Sequence, residues 1–155
     1  MKYIKYAVAV ALFLASCTSP DRDNLNEKAS VQAADELPEN PLLLIPITFS
    51  INPKEGSMST LYGNNEAMQH AKLNSGNAYP AGSVLYEVTW KQKSDSLWYG
   101  ANIPDQIIRV ERVVFNGDAL PGYELYSGHP LRKVAFPSSA QRIALITAQQ
   151  MAHNP

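Results

Sequence analysis

Residues 78–104 read AYPAGSVLYEVTWKQKSDSLWYGANIP, and their pattern decides the fold class. After a Tyr79-Pro80-Ala81-Gly82 turn signal the chain alternates. Val84, Tyr86, Val88 and Trp90 fall on one face, and Ser83, Leu85, Glu87, Thr89 and Lys91 on the other. A period of two, rich in β-branched and aromatic residues, is the pattern of a half-buried strand. A polar turn over residues 91–96 follows, then a second aromatic group, Leu97, Trp98 and Tyr99, before Gly100. Both tryptophans of the chain lie here, so the core is expected to form around this stretch, with any ligand pocket beside it.

Working outward, Leu42 to Ile45 is apolar throughout, Pro46 interrupts the run, and Ile47, Phe49 and Ile51 then alternate. Proline lacks the N–H that a central strand needs, so this segment is expected at a sheet edge. Residues 57–77 read as a capped helix, beginning early at Ser59 or Thr60 or later at Asn64, with Ala67, Met68 and Ala71 inward. His70 flanks that stripe and is expected as a boundary histidine with one ring nitrogen hydrogen-bonded. Downstream, residues 106–115 (QIIRVERVVF) form a second β-like run with Arg109 and Arg112 on opposite faces, and residues 123–126 a short third one after two turn signals. At the C-terminus Ser138 and Gln141 match a capping box, and Ala140, Ile143, Ala144, Thr147 and Met151 follow a helical stripe with Ile146 beside it. The expected class is α+β, a small antiparallel sheet packed against helices.

The first residues have a different character. Lys2 and Lys5 precede a short apolar run that ends Leu14-Ala15-Ser16-Cys17, the layout of a secretory signal. The ending resembles the bacterial lipobox, in which cleavage leaves the cysteine as the lipid-modified first residue. Thr18 stands where an aspartate would favour inner-membrane retention, which points to the outer membrane facing the periplasm. The expected division is therefore a signal peptide over 1–16, a lipidated Cys17 with a polar tether over 17–40, and a single domain over 41–155. A short helix within residues 25–34 is the alternative for part of the tether. Cys17 is the only cysteine; once lipidated, it leaves no thiol for disulfide, redox or metal chemistry. Loss of Lys2 and Lys5 takes the net charge from −1 to about −3, which supplies no basic surface for nucleic acid.

Familiar catalytic signatures are absent: no glycine-rich nucleotide loop, no Gly-x-Ser-x-Gly elbow and no His-Glu-x-x-His helix. His70, His129 and His153 are far apart in sequence, so no metal site is expected. Glu87 and Glu111 sit on neighbouring expected strands and can face each other. Such a pair can do acid–base work if burial separates its pKa values, or can simply pair with Lys91, Arg109 or Arg112. The tyrosines and tryptophans either fill the core or line a flat pocket with polar rims.

Three blocks of the sequence, MSTLYGNNEAMQHA, YPAGSVLYEVTWKQKSDSLWYGANIP and YELYSGHPL…AQRIALITAQQMA, resemble the cytochrome P460 domain family over residues 49–151. The resemblance implies an exported protein of mainly antiparallel β structure with packed helices. It also implies a c-type haem held through Cys-x-x-Cys-His near the C-terminus, a lysine–porphyrin cross-link, and oxidation of hydroxylamine or binding of nitric oxide. No cysteine follows Cys17, so covalent haem is not expected. His153 is the one histidine near the place of that motif and is the candidate axial ligand; Lys91 and Lys93 lie nearest the matched strand. The leading expectation is a non-enzymatic, lipid-anchored envelope protein that retains a P460-like domain. Its pocket for a small ligand would be lined by Tyr86, Trp90, Trp98 and Tyr99, with Lys91 or Arg109 for an anionic group. The alternatives are non-covalent haem acting on nitrogen oxides, hydroxylamine or peroxide, and a purely structural protein with a filled core.

Overall fold

The computed structural model describes residues 26–73, 76–117 and 120–151. The signal segment, Cys17 and His153 lie outside these residues. Six antiparallel strands form one sheet in sequence order: β1 (Ile45–Asn52), β2 (Ser57–Gly63), β3 (Val84–Ser94), β4 (Asn102–Val114), β5 (Gly122–Ser127) and β6 (Arg132–Val134). Helix α1 (Asn65–Lys72) follows β2, and α2 (Ser139–Thr147) follows β6. The α+β class is as expected, with the sheet packed against two helices. Among the described residues no helix is long and apolar enough to cross a membrane.

The alternation in residues 83–91 is real, but both faces of β3 are covered, so every residue from Leu85 to Trp90 is buried. On one face Leu85 packs with Ile47, Leu61, Val113, the α1 residues Ala67, Met68 and Ala71, and Ile146 of α2. On the other, Tyr86, Val88 and Trp90 pack with Ile107, Val110, Tyr126 and Leu131. That second face is closed by residues 26–44, whose Ala29, Val31, Leu37, Leu42 and Leu44 lie against it.

The expected tether over 17–40 is therefore corrected from Asn26 onward. Residues 26–40 carry too few apolar side chains to form an element of their own. They are held instead as a strap by hydrogen bonds that only the folded sheet supplies. Trp90 Nε1 donates to Ala29 O at 2.9 Å, Leu131 N to Asp35 Oδ1 at 2.8 Å, and Glu36 N to Leu131 O at 3.0 Å. Of the alternative helix over 25–34 only the 3-10 turn Glu27–Ala29 forms.

Pro46 lies in β1, an edge strand, as its missing N–H requires. Just after it the register slips between Pro46 and Thr48, and Ile47 turns into the core at 4% exposure. The early helix start at Ser59 or Thr60 is corrected, because Ser57–Gly63 is a strand alternating buried and half-buried. Asn64 is the cap that forms, its side chain accepting from Ala67 N. Gly63 lets α1 sit close: a Cβ there would lie 2.8 Å from both Ala67 Cβ and Ile47 Cδ1. His70 Nε2 lies 2.9 Å from Gly76 O and its ring packs at 4.4 Å on Tyr79, the expected boundary role.

Helix α2 is shorter than its stripe suggested, and Ser138 makes no side-chain capping bond. Ile146 and Thr147 are buried and Ile143 packs partly buried against the core, as does Met151 beyond the helix, while Ala140 and Ala144 face solvent.

Candidate functional site

In β3 and β4 the register places Glu87 directly opposite Glu111, on the face covered by the helices. Both are buried, at 6% and 1% exposure. Two carboxylates on facing positions repel unless a cation joins them. The cation is Arg142, the one charged residue of α2. Its Nε donates to Glu111 Oε1 at 2.7 Å, and its Nη2 donates to Glu111 Oε2 at 2.6 Å and to Glu87 Oε2 at 2.9 Å.

The remaining oxygens are also engaged. Glu87 Oε1 accepts from Ser59 Oγ and from Gln149 Nε2, each at 3.0 Å, and Glu111 Oε1 accepts from Tyr123 Oη at 2.6 Å. Burial alone would raise the Glu111 carboxyl; the hydrogen bonds from Arg142 and Tyr123, with the charges of Arg142 and Arg109, outweigh it and hold the group below its ordinary value. The same hydrogen bonding to Glu111 pushes Arg142 up against the opposing effect of its burial. Burial and the bond to Glu111 raise Tyr123. A carboxylate with its lone pairs occupied and its ionised form favoured is a poor proton acceptor and no proton donor. Glu111 is thus held ionised, and the main basic partner of the pair is Arg142 and not Lys91, Arg109 or Arg112.

Beside this cluster lies a polar cleft of about 170 Å³, lined by Arg109 and Arg142, the carboxylates of Glu55 and Glu87, and the hydroxyl residues Ser59 and Thr89 among others. Arg109 Nε lies 3.2 Å from Glu111 Oε2 but off the line of a hydrogen bond. Its terminal Nη groups make no hydrogen bond among the described residues, and its side chain is 37% exposed. Thr89, 2% exposed, carries a buried hydroxyl without a partner among the described residues. The cleft thus offers a guanidinium fork and an unsatisfied hydroxyl beside a fixed ionic floor.

The six pocket residues expected from sequence do not converge. Tyr86 is fully buried in the strap-side core, with its hydroxyl donating to Glu39 at 3.1 Å, and Trp90 is 5% exposed beneath the strap. Arg109 is on the opposite face, Lys91 is exposed near the end of β3, and Trp98 and Tyr99 are 71% and 109% exposed in the β3–β4 hairpin loop. Trp90 instead touches an apolar groove of about 340 Å³ with Phe49, Ile51, Met58, Tyr62 and Pro104. An aromatic-lined pocket shared by all six is excluded by the parity of β3, because Tyr86 and Thr89–Arg109 face opposite ways.

The space between α2 and the sheet is filled by Arg142, Ile146 and Gln149 on Glu87 and Glu111. His70 is committed to Gly76 and Tyr79, and His129 is an exposed turn residue. No cluster of three metal-ligating side chains occurs among the described residues.

Arg142 and Thr89 are the site residues that sequence reading missed. A signal for Arg142 was present: it is the lone charge in SAQRIALIT and precedes Ile146 by one helical turn, so it shares the buried face. No protein-family model matches the chain, and no curated protein matches it.

Proposed function

We propose that the protein is a lipid-anchored envelope protein with a P460-like domain, and that the cleft beside Arg109 binds a small polar solute carrying a carboxylate, without catalysis. The observation that supports binding is Arg109: its guanidinium leans on a carboxylate already held by Arg142, it lines the cleft, and its outer donors make no hydrogen bond among the described residues. Arginine's planar fork suits a carboxylate. The cleft volume of about 170 Å³ corresponds to roughly six waters, the scale of a short dicarboxylate or a small amino acid. The saturated Glu87–Arg142–Glu111 floor argues against proton transfer.

Titration calorimetry with succinate and with glycine tests the reading. Arg109→Ala is expected to weaken the bound solute by about ten- to a hundredfold, the value of a charged hydrogen bond, with little loss of stability. Binding unchanged in Arg109→Ala would overturn the site. For the anchor, Cys17→Ala is expected to abolish lipid labelling and membrane retention. A Soret band on adding haem would overturn the haem-free reading.

A further inference from the structure

Leu97, Trp98 and Tyr99 occupy the tip of the β3–β4 hairpin at 86%, 71% and 109% exposure. No other three consecutive large apolar or aromatic residues among those described are so exposed. The tip is held in shape from within: Leu97 N donates to Asp95 Oδ1 at 2.8 Å, Ala101 N to Trp98 O at 3.1 Å, and Asp95 N to Ala101 O at 2.9 Å. It is a built turn that presents its side chains outward, with Gly100 at φ 79°.

The path of the chain says what meets this tip. Asn26, where the described chain begins, is fixed to the same hairpin: its Nδ2 donates to Pro104 O at 3.0 Å and to Asp105 O at 2.6 Å. These carbonyls lie on β4 close to the loop, since Ser94 pairs with Asn102 and Gln92 with Pro104. Cys17 precedes Asn26 by nine residues, a covalent span of at most about 30 Å. A lipid on Cys17 therefore holds this end of the sheet within about that distance of a bilayer.

We infer that Leu97, Trp98 and Tyr99 form a second membrane contact, seating the hairpin tip in the headgroup region of the bilayer that carries the anchor. The inference rests on lipidation of Cys17. Trp and Tyr prefer this interfacial zone because one part of the ring system is apolar and the other hydrogen-bonds water. The formal charges of the hairpin balance, Lys91 and Lys93 against Asp95 and Asp105, with Lys93 lying 3.5 Å from Asp105. Attachment through the tip is therefore apolar and insensitive to salt, unlike a polybasic contact.

The test uses the full mature chain with its lipid, verified by mass, in protein-free phosphatidylethanolamine–phosphatidylglycerol vesicles. Subtracting the emission of Trp98→Phe from that of the unsubstituted protein isolates Trp98, since Trp90 is common to both. The expected result is a blue-shifted Trp98 emission, quenched by brominated acyl chains, shielded from aqueous acrylamide and unchanged by salt. A lipid-bearing protein whose Trp98 stays fully open to acrylamide would overturn the tip contact and leave the anchor standing. Shielding found in native envelopes but not in pure vesicles would mean a protein partner and overturn it too. Absence of lipid on Cys17 would overturn the anchor and the inference together, and the mass separates that case from the others.

Discussion

The two faces of the sheet solve the same problem by different physics. Under the strap, Tyr86, Val88, Trp90, Ile107 and Val110 form an apolar layer. Its charged pair, Arg112 donating to Glu124 at 3.0 Å, keeps both side chains partly exposed. Under α2, the same strands bury two facing glutamates and recruit an arginine from a distant helix. The apolar face gains stability from area removed from water. The ionic cluster, set beside the apolar core of Leu61, Leu85, Val113 and Ile146 on its own face, gains little net stability itself, because desolvation offsets attraction, yet losing one partner leaves a buried charge. The strap face should therefore yield gradually to substitution, and the helix face abruptly.

The largest expected effect is at Arg142. Arg142→Met strands Glu87 and Glu111 and should cost about 3–5 kcal/mol, measured by urea unfolding at neutral pH. Its pH dependence should also invert. In the native protein Glu111 is held below its ordinary value of 4.5, so its contribution is present above that pH and lost as pH falls through the lowered value. In Arg142→Met the stranded pair should gain stability on acidification instead. A loss under 1 kcal/mol would dissolve the contrast between the faces.

A paired comparison of tyrosines comes next. Tyr123→Phe removes a hydroxyl from buried Glu111 and should cost about 2 kcal/mol, and Tyr86→Phe, whose partner Glu39 is exposed, about 1 kcal/mol or less. Equal losses would show that the exposure of the carboxylate partner does not matter. Gly63→Ala, which pushes a methyl between β1 and α1, should cost about 1–3 kcal/mol by thermal denaturation. Smallest of all, Trp98→Ser should change stability by no more than about 0.5 kcal/mol. A larger loss would mean the tip packs on the domain and is not presented outward.

Much of this was legible along the chain. The alternation of residues 84–90, the edge position implied by Pro46 and the opposite facing of Arg109 and Arg112 follow from local chemistry. The facing of Glu87 and Glu111 was also within reach, since it needs only the register of adjacent strands. The strap was not legible, because Ala29, Val31 and Leu37 are too sparse to form a periodic pattern and become a surface only when β3 and β5 lie beneath them. The two tryptophans show the same limit: the motif around each is aromatic and β-like, but Trp90 lies under the strap and Trp98 at a hairpin tip.

By itself the amino-acid order determined the strand character of β1, β3, β4 and β5 and the turn signals between them, because those depend on neighbours within a few residues, whereas β2 was read as helix and β6 was not seen. Tertiary structure alone decided which glutamates are buried against an arginine, where Arg142 reaches and which tryptophan meets solvent. Burial and long-range pairing are properties of surfaces that exist only after the sheet, strap and helices have closed on one another.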